Sequence, residues 1–230
     1  MAIDTFTLIP YGKVKISYAW SSDEYESENG TKLYRRKRIH AKKTYSFTVQ
    51  GIREDMDKLM DFYNAHHGQL DPFFFEYDGI KDLCYFSSTL AVKQTVAMKE
   101  IQMFSCDVAL EVKAQSVSYP DASTDDILPS PYKDFTRTID WNVQVLEMGA
   151  TDRRAKSDRK HEKLNATWSG LKPERDTMIK LFNSHCRVPL KMEYDHNIIS
   201  VILPDTMEIT DYREGHNIVG YECQMEVTIV

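Results

Sequence analysis

Two histidines stand side by side at His66–His67, and a histidine and a cysteine stand together at His185–Cys186. Imidazole and thiolate are both metal ligands, so these pairs are the first places to look for a metal centre. Adjacent residues at a helix end point in different directions, however, and a partly positive ring is also welcome at a helix C-terminus. Four carboxylates offer a second chemistry: Glu76 and Asp78, then Glu193 and Asp195, each pair following an apolar stretch. Carboxylates with separated pKa values can serve as acid and base. An enzyme seldom needs its site twice in one chain, so a turn or interface role is the expectation. The four cysteines, Cys84, Cys106, Cys186 and Cys223, have no CxxC spacing. They argue against a zinc site or a disulfide framework and suit a reducing compartment. Cys106 and Cys223 fall in alternating stretches and are expected as buried structural thiols. There is no Gly-rich phosphate loop, no GxSxG and no HExxH. The expectation is a protein that is not an enzyme, with no catalytic centre, metal or cofactor.

The elements that would position these residues recur. Gly51, Asn64 and His66 match Gly170, Asn183 and His185, each 119 residues further on. The turn then loses two residues: Pro72 matches Pro189, Glu76–Tyr77–Asp78 matches Glu193–Tyr194–Asp195, and Cys106 matches Cys223, each 117 apart. The pattern predicts an internal duplication. A length of 230 residues then divides into a domain at 1–115, a linker at 116–134 and a domain at 135–230. Composition is that of a globular chain, with 42% hydrophobic and 28% charged residues. No apolar run approaches the roughly 18 residues of a membrane span, and the N-terminal residues do not read as a signal peptide. A net charge of −6 argues against a sequence-specific DNA binder.

Taken along the chain, Val14, Ile16, Tyr18 and Trp20 alternate with polar residues as a half-buried strand. Residues 22–43 form a polar hairpin around Asn29–Gly30. Its first arm is acidic, and its second carries Arg35, Arg36, Lys37 and Arg38. Either the arms attract each other in solvent, or the hairpin packs on a neighbouring subunit; the two readings are compatible. Tyr45, Phe47 and Val49 alternate again. The spacing predicts a helix over 53–67 with Met56, Leu59, Met60, Phe62 and Tyr63 on its core face, closed by Gly68. Strands follow at 72–77, 83–86 and 101–112. Residues 115–136 hold three prolines and read as a linker or excursion, with Tyr119, Ile127, Leu128 and Tyr132 packing on something. The second half repeats the order: a strand through Ile139, Trp141, Val143 and Val145, and a shorter hairpin beyond Gly149. Then come a helix over 173–185 with Met178, Ile179, Leu181 and Phe182 inward, and strands at 201–203 and 221–229. The fold class expected is mainly β with one helix per repeat (α+β), as two tandem β-barrels or sandwiches.

The order of polar hairpin, strand, helix ending FYNAHHG and strand PFFFEY resembles the minor tail and distal tail proteins of long-tailed bacteriophages. Phe62, Tyr63, His66, Gly68, Pro72, Phe73 and Phe75 carry the resemblance. Leu181, Phe182, His185, Pro189, Leu190 and Met192 carry a weaker version, with Arg187 in place of the glycine, so the loop is expected to differ there. The resemblance implies two tail-tube-like domains and a virion structural protein, assembled in the host cytoplasm and located in the phage tail. It implies a homo-oligomeric ring, either a trimer with pseudo-sixfold symmetry or a hexamer. DNA would pass through it without specific binding, other tail proteins (tail tube, hub, tape measure) would be its partners, and no membrane is involved. Candidate subunit-interface residues in the hairpins are Tyr25, Asn29, Tyr34, Arg35, Arg36 and Arg38, then Arg153, Arg154 and Arg159. Two alternatives stand beside the ring: a tandem β-barrel adaptor, such as a receptor- or carbohydrate-binding tail component, and an enzyme. Exposed aromatics in a cleft would favour carbohydrate binding; exposed apolar hairpins without a deep pocket would favour the ring.

Overall fold

The fold is described from a computed structural model. It describes residues 3–26, 32–37, 40–97, 102–114, 119, 122–123, 126–131, 133–145, 153–185, 187–194, 196–215 and 217–230. Among the described residues the protein is mainly β with two helices. In the first half the strands are β1 (Thr5–Phe6), β2 (Tyr11–Ala19), β3 (Ser22–Glu26), β4 (Lys32–Arg36) and β5 (Lys42–Gly51). Helix α1 (Arg53–Ala65) follows, then β6 (Phe73–Tyr77), β7 (Ile80–Phe86), β8 (Val92–Ala97) and β9 (Gln102–Ala114). The second half holds β10 (Ile127–Leu128), β11 (Lys133–Val145), β12 (Arg153–Gly170) and α2 (Lys172–Ser184). It ends with β13 (Leu190–Tyr194), β14 (Asn197–Ile202), β15 (Thr206–Glu214) and β16 (Asn217–Ile229). All strands except the small β3–β4 pair belong to one 14-stranded sheet that runs through both halves.

Each half pairs its strands in the same order and the same register. In the first, β9 lies between β5 on one side and β7 and β8 on the other; in the second, β16 lies between β12 and the strands β14 and β15. Val49 lies opposite Cys106, and Trp168 opposite Cys223. Phe73 faces Cys84 as Leu190 faces Val201. Val92 faces Cys106 as Ile209 faces Cys223. The parallel pair β1–β6 recurs as β10–β13. Thus β10 falls inside the 116–134 stretch read as a linker. Leu128 is fully buried there, and the carbonyl of Pro129 accepts the Trp168 indole N–H at 2.8 Å. Ile127 is exposed and Tyr119 half-buried, while Tyr132 lies outside the described residues.

Alternation sends one set of strand residues to the core and the other to a polar face. The core set includes Val14, Ile16 and Tyr18, Tyr45, Phe47 and Val49, and Cys223, Met225 and Val227, all buried. An aromatic cluster fills the first half: Phe75 stacks on Phe47 at 5.3 Å, and Phe6 and Phe62 meet Phe73 at 6.0 and 5.1 Å. Both helices lie on the core face. At each helix entry a glycine ends the strand because the next acid folds over it. A Cβ at Gly170 would sit 1.9 Å from Glu174 Oε2, and one at Gly51 would sit 2.7 Å from Asp55 Oδ2. Glu174 reaches back to accept the Leu171 N–H at 2.8 Å, satisfying one orphan donor of the first turn.

The helices differ from the expected 53–67 and 173–185 by one or two residues at their ends. They differ more in burial. In α2, Met178, Ile179, Leu181 and Phe182 are all buried. In α1, Met56 and Leu59 are buried, but Met60, Phe62 and Tyr63 are half-exposed. The loop expected to differ at Arg187 instead keeps its left-handed backbone, φ 57° against 70° at Gly68. Arg187 holds that strained conformation while its guanidinium grips Asp205 at 2.7 and 2.6 Å.

Candidate functional site

The two halves meet along β2 and β15, which pair antiparallel from Ala19 opposite Thr206 to Lys13 opposite Tyr212. Helix α2 covers this joint: the Phe182 ring lies 6.4 Å from Tyr18 of β2. A buried polar network locks it. Arg175 of α2 donates to Asp211 of β15 at 2.7 Å and also to Asp78, at the turn between β6 and β7. Tyr77 donates to Asp211 at 2.8 Å, and Lys172 reaches the other Asp78 oxygen at 2.5 Å. Asp78 and Gly79 both have positive φ, 56° and 76°, the two-residue hairpin geometry that aims the carboxylate at α2. Burial pushes the Asp211 carboxyl above its ordinary range although Arg175 pulls the other way. Burial, then the Asp211 charge, drives the Tyr77 hydroxyl well above the usual tyrosine range. A cavity of about 230 Å³ lies beside the network, lined by Tyr18, Lys43, Tyr119 and Arg175 among others. Its cations Lys43 and Arg175 are already paired, Lys43 with Asp82 at 2.7 Å and Arg175 with Asp211.

The counterparts of the joint strands are open. By register, β8 stands in the first half where β15 stands in the second, and β11 stands where β2 stands. Among the described residues, β8 pairs with β9 alone and β11 with β12 alone, leaving each with a free edge. Exposure follows. Ile209 is fully buried but its counterpart Val92 is 39% exposed; Tyr18 is 2% exposed but its counterpart Ile139 is 49% exposed. Ile179 and Phe182 are buried under the joint, whereas Met60 and Tyr63 at the same helical positions are half-exposed.

The polar face of the sheet carries a depression of about 680 Å³ lined by Lys13, Lys15, Ser46, Thr48, Asp107, Glu208, Tyr212, Glu222 and others. Cross-strand ion pairs lie on this face: Lys15–Glu208 at 2.6 Å, and Lys42–Glu111 and Lys163–Glu226 each at 2.7 Å. Lys93 lies 3.6 Å from Asp107.

The residues first considered for chemistry are scattered. His66 is buried against Phe62 with Nδ1 2.8 Å from that residue's carbonyl, while the exposed His67 meets Asp71 at 2.6 Å. His185 is buried with Nε2 3.2 Å from the Ser123 carbonyl; Cys186 lies outside the described residues. Glu76 and Glu193 are exposed, Asp78 belongs to the joint, and Asp195 lies outside the described residues. No group of three or more metal-binding side chains occurs among the described residues. Of the hairpin residues, Tyr25 and Arg35 are exposed, and β3 faces β4 with Asp23 held by Lys37 at 2.6 Å. Asn29 and Arg38 lie outside the described residues. The side chains of Tyr34, Arg36, Arg153, Arg154 and Arg159 are likewise outside them, although their backbone is placed in β4 and β12. The segment beyond Gly149, read as a shorter hairpin, continues β12, which pairs with β11 as far as Val145 opposite Arg153.

No protein-family model matches the chain, and no curated protein matches it. Among solved structures it is similar to a chain from the virion of a native gene transfer agent particle, at 15% identity and a TM-score of 0.34. That likeness covers 43% of this chain and 88% of the other. A TM-score at this level carries no argument about fold or role. No helix among the described residues is long and apolar enough to cross a membrane. The joint strand β15 and its open counterpart β8 escaped sequence reading. The signal that could have found them is the alternation Met207, Ile209, Asp211, broken by its buried carboxylate.

Proposed function

We propose that this chain is a structural ring component of a bacteriophage tail, placed around the DNA channel at the tail tube or its distal end. The observation that carries this reading is the joint between β2 and β15 together with its two open counterparts, β8 and β11. An open edge on each side, different in kind but complementary, is a heterologous interface, and such an interface closes into a ring or runs on as a filament. Ring closure also removes the exposed edges that otherwise invite aggregation. The polar face with its cross-strand ion pairs suits the inside of such a ring, with the helices outside. The segments around FYNAHHG and PFFFEY add the family resemblance. The hairpin carrying Tyr25 and Arg35, exposed in the single chain, is the element that would reach neighbouring copies or other tail proteins.

Because each chain supplies two modules, three copies complete a six-module circle. Mass measurement of the purified assembly tests this. Three chains of 26.8 kDa give about 80 kDa and six give about 160 kDa, and either mass supports a ring. A chain that remains a monomer both when concentrated and within tail particles overturns the reading.

A further inference from the structure

We propose that copies of this chain join by repeating the internal joint: β8 of one copy pairs antiparallel with β11 of the next, and the outer flank of α1 seats on the Arg137–Ile139 face of that neighbour. The inference rests on the ring reading and deepens it, because it fixes the register.

In the internal joint Ile209 lies opposite Ile16, Glu208 opposite Ser17 and Met207 opposite Tyr18. Val92 holds the place of Ile209, since each lies opposite a buried cysteine, Cys106 or Cys223. Arg137 holds the place of Ile16, since Arg137 lies opposite Leu164 as Ile16 lies opposite Tyr45. The joint between copies therefore sets Val92 against Arg137, Ala91 against Thr138 and Leu90 against Ile139. Leu90, Val92, Arg137 and Ile139 now sit at or near the surface, yet their counterparts within the chain, Met207, Ile209, Ile16 and Tyr18, are buried on the core face. Ile16 is 3% and Met207 0% exposed. An apolar surface with this exposure pattern is covered in the assembled state, and the half-exposed Met60 and Tyr63 occupy the helix positions that cover it in the internal joint. Arg137 is the one charged substitute, and Glu162 already holds its guanidinium at 2.5 Å.

The new joint also differs in one respect that keeps it separable. Met56 and Gln94 stand where Arg175 and Asp211 stand, so no buried ion pair locks it. The halves of one chain are fastened by that pair, while separate copies meet without one, through backbone pairing and the mostly apolar side chains at these positions.

The test is an Ala91→Cys, Thr138→Cys double variant, oxidised in the assembled state and run without reductant beside both single variants. The expected result is a ladder of linked chains ending at three, with the single variants unlinked. Assemblies of the right mass that do not link through these positions overturn the joint and leave the ring reading standing. Absence of any assembly in the unmodified protein overturns both. Ile139→Glu provides a second arm. Because Ile139 is exposed in the single chain, the variant should melt as the parent monomer does but lose the assembled species. Assembly undiminished by that substitution also overturns the proposal.

Discussion

Arg175 and Asp211 show how one residue pair can hold two halves of a chain. Both are buried, at 3% and 0% exposure, and each keeps the other's charge tolerable away from water. Removing one member of such a pair costs about 3–5 kcal/mol, because the other charge is left uncompensated. Replacing both with apolar residues of similar size is far milder. Arg175→Met alone should therefore lower the denaturation midpoint sharply, and Arg175→Met with Asp211→Leu should recover much of the loss. Chemical denaturation of the three variants decides it, and equal loss in single and double variants would contradict the pairing. The thiols supply a pH prediction. Burial, with Asp82 adding to it, pushes Cys84 from an ordinary value of 9.0 up to about 12, and burial alone pushes Cys223 up to about 12. An acid whose folded pKa is raised holds its proton longer in the native state than in the unfolded chain. Its stability contribution is intact below pH 9 and is lost as pH rises toward 12. Native protein should leave Cys84 and Cys223 unmodified by a thiol reagent at pH 8, and melting temperature should fall progressively above pH 9. Rapid native-state labelling of either thiol would contradict the burial.

The helices and strands with a strong period were readable from sequence; those whose pattern is set by a partner were not. Spacings of three and four residues located both helices, and alternation located β5, β12 and β16. By contrast β8 reads Val-Lys-Gln-Thr-Val-Ala, a short edge with weak alternation, and β15 places Asp211 at an inward position that only Arg175 and Tyr77 make tolerable. The joint thus depends on tertiary pairing that no local pattern encodes, and β10 was hidden among prolines for the same reason. Periodicity also could not distinguish the two helices. Both present an apolar face, but α2 lies under the joint and α1 at a free flank. This difference makes a prediction about elements. Leu59 is fully buried, so Leu59→Ala should cost on the order of 2–5 kcal/mol. Met60→Ala, at a half-exposed position, should cost clearly less in the single chain. Thermal melts of the two variants measure it, and equal losses would contradict the orientation of α1.

For the whole molecule, the net charge of −6 suggests weak attraction for DNA, but the polar face gives a more local reason. Non-specific DNA binding draws its strength from lysines and arginines that displace counterions from phosphates. On this face Lys15, Lys42 and Lys163 are each held within 2.7 Å of a glutamate on a neighbouring strand, so a passing duplex meets cations whose charge is already compensated. In the ring proposed above, such a surface would let DNA slide without holding it, through residue placement rather than total charge. The unmodified protein should cause no electrophoretic shift of double-stranded DNA at micromolar concentration and physiological salt. A variant with Glu208, Glu111 and Glu226 each changed to Gln should gain binding. Its affinity should fall with salt at a log–log slope of about −0.9 per lysine engaged. Binding by the unmodified protein would contradict the compensated face and turn attention to the basic hairpin segments 35–43 and 153–163. A triple variant that still ignores DNA would mean that this face does not meet the duplex, and that the pairing of its lysines is not what keeps DNA from binding.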